Sequence, residues 1–120
     1  MFEKREIYRA IGELAYVIAK ATNGLQPEEK AAFMQIIKEE LKFEAWAAES
    51  RFEILDEKIH PTIDHAYNEA LHGLKLYKEQ LTPELKTTAV TVLRKVAQAC
   101  GNTEIDEFIL DRFESDLKKF

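Results

Sequence analysis

Apolar residues recur at helical spacing along almost the whole chain, without the sustained alternation of apolar and polar residues that indicates strands. The first apolar stripe begins at Ile7 and ends at Ile18, which predicts a helix over roughly residues 2–21. Its second half, Leu14–Ala19, is apolar on every side, which is typical of a helix that other helices surround. We therefore expect this segment to be the central rod of an all-α fold.

Turn and cap residues predict where the next helices begin and end. Asn23 and Gly24 both tolerate a left-handed backbone, so they end the first helix. Pro27 then fits the first turn of a second helix. A bend near residues 47–51 separates this helix from a third, and Pro61 starts a fourth.

Two threonines begin the last two helices. Thr82 is the expected N-cap of the fifth helix. Thr103 with Asp106 three residues later resembles a capping box at the start of the sixth, with aspartate in place of the usual glutamate or glutamine. After the first helix, the residues expected to face the core are Phe33, Ile36, Ile37, Leu41, Phe52, Leu55, Ile59, Ile63, Ala66, Tyr67, Ala70, Leu71, Leu74, Leu85, Ala89, Val92, Leu93, Val96, Cys100, Ile105, Phe108, Ile109, Phe113, Leu117 and Phe120.

The two ends of the chain resemble one another. Positions of the first helix match the fifth at an offset of 78, and positions of the second match the sixth at an offset of 76. The matched sets are Leu14, Ala15, Ile18, Ala19 and Ala21 with Val92, Leu93, Val96, Ala97 and Ala99, and Phe33, Ile37 and Leu41 with Ile109, Phe113 and Leu117. We expect a single domain over residues 1–120, an all-α bundle of about six to seven helices with two pseudo-repeated helical hairpins flanking the middle helices. Chance similarity between two amphipathic hairpins is the alternative.

Composition narrows the functional classes. The chain has 120 residues, of which 46% are hydrophobic, enough for one ordinary core. Its 17 basic and 22 acidic residues give a net charge of −5 and form no basic stripe, so nucleic acid is not an expected partner. The longest apolar run has six residues, so we expect no membrane insertion. With one cysteine no internal disulfide forms, and the cytoplasm is the expected compartment.

The first hairpin, from Ile11 to Leu41, resembles that of the tellurite-resistance TerB-like family. The family pattern is an Ala-x-Ala-Asp-Gly turn with a glutamate five residues after the glycine, and Ala19, Ala21, Gly24 and Glu29 fit it. Residues 97–117 resemble the second hairpin of the family more loosely. The resemblance implies a non-enzymatic accessory or interaction module, associated with tellurite, stress and metal responses. Its expected partner is another protein or a second copy of the chain.

The resemblance also implies a divalent-cation site formed by polar residues in and after the two turns. The residues carried over are Asn23, Glu28, Glu29, Glu104, Asp106 and Glu107. Asn23 departs from the family, whose turn has an aspartate, and an amide contributes less than a carboxylate to binding a hard cation. Apart from such a cation, no cofactor is expected.

A second candidate metal site lies on the fourth helix. His65, Glu69 and His72 are spaced at i, i+4 and i+7, which places them on one face. This face is opposite the apolar stripe of the same helix, so it is first interpreted as a solvated polar surface. Binding of zinc or nickel is the alternative, and it would make the chain a metal-binding or metal-sensing protein.

Trp46 is the candidate interaction residue, since tryptophan is enriched at the energetic centres of protein interfaces. Packing in the core is the other interpretation of Trp46. Cys100 follows an apolar stretch, where a cysteine acts as a small buried hydrophobe. No nucleophile, base and stabiliser occur together in a recognisable pattern, so we do not expect an enzyme.

Overall fold

The chain forms a bundle of helices. A computed structural model describes the backbone of residues 2–21, 27–42, 45–99, 101 and 103–120, and the side chains of 5–21, 30–31, 34–42, 45–99, 101 and 103–120. This part contains α1 (Phe2–Ala21), α2 (Pro27–Leu41), α3 (Ala45–Ile54), α4 (Ile63–Leu76), α5 (Pro83–Ala99) and α6 (Glu104–Leu117). A π-helical turn, Leu55–Ile59, extends α3, and a short 3-10 turn, Lys78–Gln80, follows α4. These residues contain no strand, which confirms the all-α prediction. None of the described helices has the length and apolar character needed to cross a membrane.

Helix α1 is the centre of the bundle. Every side chain from Leu14 to Ala19 is at most 3% exposed. The helix contacts α3 and α4 most extensively, and it also contacts α5 and α6. An all-round apolar segment is buried here because neighbours approach from every side, which confirms the predicted central rod.

The two hairpins pack crosswise. The first helices of the two hairpins, α1 and α5, contact each other. The second helix of each hairpin contacts the first helix of the other, α2 with α5 and α6 with α1, as expected if an approximate two-fold axis relates the hairpins. Matched positions also agree in burial: Ile18 and Val96 are both fully buried, and Ala21 and Ala99 are both partly exposed. The middle helices break this symmetry, because α3 and α4 pack mainly on α1.

The predicted caps of the last two helices are confirmed. The hydroxyl of Thr82 accepts a hydrogen bond from the Leu85 amide at 3.1 Å. At the start of α6, the Asp106 amide donates to Thr103 Oγ1, and the Thr103 amide donates back to Asp106 Oδ2, both at 3.3 Å. Gly101 follows α5 with a φ of 100°, a left-handed conformation that glycine adopts without strain.

Two predicted helix boundaries are wrong. α4 begins after Pro61, because the Thr62 side chain caps it by accepting from the His65 amide at 3.1 Å. The bend expected at residues 47–51 is absent, since α3 is continuous there. The direction of the chain changes earlier, at Lys42, whose φ is 54°.

Three apolar residues predicted to lie in the core are exposed instead. Ile59 is 54%, Ile105 54% and Phe108 68% exposed. In α6 the buried face includes Asp106 and Leu110, so it is rotated away from Ile105 and Phe108. Phe33 and Cys100, also predicted to be buried, lie outside the side chains that the structure describes.

Candidate functional site

The predicted turn site is described only in its second half. Asn23, Glu28 and Glu29 lie outside the described side chains. At the start of α6, Glu104 and Glu107 are exposed, whereas the residue between them in the proposed ligand set, Asp106, is fully buried. The carboxylate of Asp106 caps the helix, so it is already engaged in a structural role. A cation site in these turns stays a prediction.

The buried carboxyl of Asp106 has one oxygen without a hydrogen-bond partner. Its Oδ2 accepts from the Thr103 amide, whereas no described group donates to its Oδ1. Burial raises the pKa of Asp106 because it disfavours the charged form, while the hydrogen bonds from Thr103 lower the pKa in part.

The histidine face of α4 is solvated, as its first interpretation predicted. His65 Nε2 lies 4.0 Å from Glu69 Oε1, and the two side chains are 67% and 55% exposed. His72 is exposed as well. Among the residues with described positions, no three histidine, cysteine, aspartate or glutamate side chains gather closely enough to hold one metal ion. Metal binding by His65, Glu69 and His72 therefore has no preformed geometry to support it.

Trp46 lies on the surface, so the core-packing interpretation is wrong. The residue is 52% exposed. The guanidinium carbon of Arg5 lies 5.0 Å from the centre of its ring, within the range of a cation–π contact. Arg5 therefore holds the indole in place while leaving about half of it open to contact by another molecule.

A groove between α1 and α3 surrounds this tryptophan. Its volume is about 230 Å³. Among the described residues, three arginines and no acid contribute to its wall, and Ile54, which is 38% exposed, adds apolar surface beside the indole. The principal lining residues are Arg5, Arg9, Trp46, Ser50, Arg51 and Ile54. This groove is called the Trp46 groove below.

Close contact between two helix backbones sets the shape of the Trp46 groove. A Cβ atom added to Gly12 would lie 2.3 Å from the carbonyl oxygen of Ala48, so only glycine permits this approach. One turn further on, the rings of Tyr16 and Phe52 meet edge to face at 6.3 Å. These contacts fix the position of α3 on α1 and thereby the separation of the groove walls.

Ion pairs orient two of the three arginines. Arg51 Nη2 donates to Glu13 Oε2 at 3.3 Å, and Arg9 Nη1 donates to Glu6 Oε1 at 3.0 Å. Glu13 is only 8% exposed, and burial raises its pKa although the charge of Arg51 acts in the opposite direction. The guanidinium groups are thus placed before any ligand arrives, which lowers the entropy cost of binding.

The sequence indicated Trp46 but not the arginines around it. Arg5 and Arg9 are four residues apart and share a face of α1, yet Arg51 comes from another helix. Only the packing of α1 on α3 brings the three together. Residue spacing in the sequence therefore does not predict that the three arginines lie close together.

Comparison of the chain with protein-family models, with curated proteins and with solved structures found no match. The TerB-like resemblance therefore stays a prediction that depends on the residues of the two turns.

Proposed function

We propose that the chain is a non-enzymatic protein-interaction module that binds its partner through the Trp46 groove. The observation that supports this most is the half-exposed indole held by Arg5. A large aromatic side chain left in water forgoes stabilising burial, and binding recovers that burial. Tryptophan and arginine are also the residues that most often contribute most of the energy of an interface.

The charge of the groove defines the kind of segment that it binds. Three arginines line it although the chain as a whole carries a net charge of −5. Guanidinium groups pair with carboxylates through two parallel hydrogen bonds. The partner segment therefore carries an apolar side chain, which packs on the indole, next to aspartate or glutamate.

The TerB-like resemblance adds a cellular setting to this proposal. An accessory module of that family would bring a partner into a stress or tellurite response, and the groove would be its point of attachment. A groove of this size holds one or two side chains, so the interaction is a short-segment contact. Such contacts are weak singly and suit a module that works within a larger assembly.

Fluorescence offers a direct test, because Trp46 is the only tryptophan in the chain. The titrant is a short synthetic peptide with one leucine between glutamates, and the matched control peptide has lysines in their place. We expect a saturable blue shift of the emission with the glutamate peptide only, since the indole loses contact with water. An emission spectrum that neither peptide changes would contradict the proposal.

Variants locate the binding within the groove. Arg5→Glu should weaken binding of the glutamate peptide at least about tenfold, because it reverses the charge next to the indole. Lys78→Glu makes the same charge change on an exposed residue outside the groove and should leave binding unchanged. Equal weakening by both variants would show that net charge, and not the groove, governs binding.

A further inference from the structure

A larger groove lies between α5 and α6. Its volume is about 510 Å³, more than twice that of the Trp46 groove. On the α5 side it is lined by residues spaced along one face of the helix, namely Thr87, Val90, Thr91 and Arg94. Leu117 contributes apolar surface from α6. This groove is called the α5/α6 groove below.

The repeat relates this open face of α5 to a covered face of α1. Subtracting the offset of 78 from the four α5 residues gives four positions of α1. In the same order they are Arg9, Gly12, Glu13 and Tyr16. These are residues through which α1 meets α3 and the Trp46 groove.

Helix α3 therefore occupies, in the first half of the molecule, the place that is open in the second. Ala48 lies on Gly12, and Arg51 donates to Glu13. Among the described elements, α5 makes extensive contact only with α1, α2 and α6. No described helix takes the position on α5 that α3 takes on α1.

We propose that the α5/α6 groove accepts one α-helix of a partner protein, placed on α5 as α3 is placed on α1. The distance along α5 from Thr87 to Arg94 is about 10 Å at 1.5 Å per residue, or roughly two turns of a bound helix. Val90 and Leu117 form an apolar floor for its anchor residues, which is the helix-in-groove mode of recognition. This surface is separate from the Trp46 groove and goes beyond the proposed function.

The charges around the groove specify an acidic helix. Among the described residues of the wall, Lys86, Arg94 and Lys118 contribute three cations, against one carboxylate, Glu114, which pairs with Arg94. Lys86 Nζ donates to the Phe120 carbonyl at 3.3 Å, which keeps it at the edge of the groove. A helix with glutamates or aspartates beside its apolar stripe complements this charge.

Val90 sets the distance at which the partner helix lies. The matched residue of α1 is Gly12, where the missing Cβ lets the α3 backbone come into contact. A valine at this position prevents such an approach, so the incoming helix stands further off. The wider gap accommodates leucine-sized anchors where α3 presents alanine.

Two synthetic helices of about 15 residues, long enough to hold helical structure, test the proposal. Both carry a leucine and alanine stripe; one has glutamates on its flanks and the other lysines. Fluorescence anisotropy of the labelled peptides should show binding of the glutamate helix at least about tenfold tighter than that of the lysine helix. Amide shifts in an NMR titration should change along α5 and α6.

A variant that fills the groove provides the decisive control. Thr87 is exposed, so the Thr87→Trp variant should fold normally. Because its indole fills the groove, it should weaken binding of the glutamate helix at least about tenfold. Gln80→Trp, at an exposed position outside the groove, should leave binding unchanged. Absence of binding, or binding that Thr87→Trp does not weaken, would overturn the proposal.

The two grooves give separate outcomes. Binding in the α5/α6 groove leaves the emission of Trp46 unchanged in the wild-type chain, since that residue lines the other groove. If the glutamate helix shifts the Trp46 emission, and its affinity is the same for wild type and Thr87→Trp, the α5/α6 proposal is refuted and the proposed function is supported. A glutamate helix that binds at α5/α6, with no response of Trp46 to the short peptide, would do the reverse.

Discussion

The first helices of the two hairpins, α1 and α5, share an inward apolar stripe and differ on their outer faces. Tyr16 and Val17 are at most 3% exposed in α1. At the matched positions α5 has Arg94 and Lys95, which pair with carboxylates of α6 and α2. The number of neighbours explains the difference, because α3 and α4 cover α1 but leave α5 open.

This difference in covering decides which helix faces contribute to stability and which stay accessible to a partner. A face covered by two helices contributes apolar burial to the fold, and apolar residues are required there. An open face can carry charges and grooves without loss of stability, and it is available to a partner. In this chain the same supersecondary unit has its first helix covered by α3 and α4 in one half and leaves a face of α5 open in the other.

Exchanging the outer residues of α1 and α5 should produce the largest change in the free energy of unfolding. Val17→Lys places a charge at a fully buried position, so we expect a loss of about 3–5 kcal/mol in the free energy of unfolding, or no folded protein. The reciprocal change, Lys95→Val, should leave the free energy close to that of wild type, because exposed ion pairs contribute little. Urea denaturation followed by circular dichroism measures both.

The inward stripe is the control for this exchange. Ile18 and Val96 are both fully buried, so Ile18→Asp and Val96→Asp should each unfold the protein or nearly so. If Val17→Lys and Lys95→Val lowered the free energy of unfolding by similar amounts, the outer faces of the two helices would be equally covered. The comparison between the halves would then be wrong.

A smaller effect is expected where α1 meets α3. Gly12→Ala would bring a Cβ to 2.3 Å from the Ala48 carbonyl oxygen, and a backbone atom cannot move aside as a flexible side chain does. We expect a loss of about 2–3 kcal/mol, as for overpacked core positions. At the matched position of α5, Val90→Ala should cost about 1 kcal/mol, since Val90 is only partly buried.

A glycine with open space around it provides the matched control. Gly73 lies within α4, and a Cβ added there would meet no atom within 4 Å. Gly73→Ala should therefore stabilise the protein by about 0.5–1 kcal/mol through helix propensity alone. Melting temperatures of the three variants decide the matter: a stable Gly12→Ala variant would show that α1 and α3 are not in backbone contact.

The sequence predicted those parts of the fold that depend on local chemistry. The Thr82 and Thr103 caps need only residues within one turn, and the all-round apolar segment of α1 needs only its own pattern. The exposed Phe108 was missed because its spacing matches the stripe of α6, while the polar Asp106 conceals the true buried face.

The candidate site was predicted less well than the fold. Trp46 could be singled out by residue type, but its exposure depends on how α3 lies on α1. The arginine lining and the α5/α6 groove arise from contacts between helices distant in sequence. The repeat was visible in the sequence, yet its unequal covering by the middle helices was not.

The smallest predicted effect is on the pH dependence of stability, and it compares two buried carboxyl groups, one in each half of the molecule. Glu13 has the guanidinium of Arg51 as a partner, whereas the donor that the structure describes for Asp106 is a neutral backbone amide. Burial raises the pKa of both carboxyl groups. A carboxyl whose pKa is higher in the folded than in the unfolded state binds its proton more tightly when folded. It therefore contributes stability below the unfolded-state pKa of about 4, and this contribution is lost as the pH rises through the folded-state pKa.

Asp106→Asn removes this titration and keeps an oxygen that accepts from the Thr103 amide. The stability of the variant relative to wild type should therefore increase between about pH 3 and pH 7, on the order of a few degrees in Tm. Glu13→Gln should change in the same direction, because burial raises the pKa of Glu13 although the charge of Arg51 opposes this rise. Parallel curves of Tm against pH for wild type and Asp106→Asn would show that Asp106 is not held in a buried, under-bonded site.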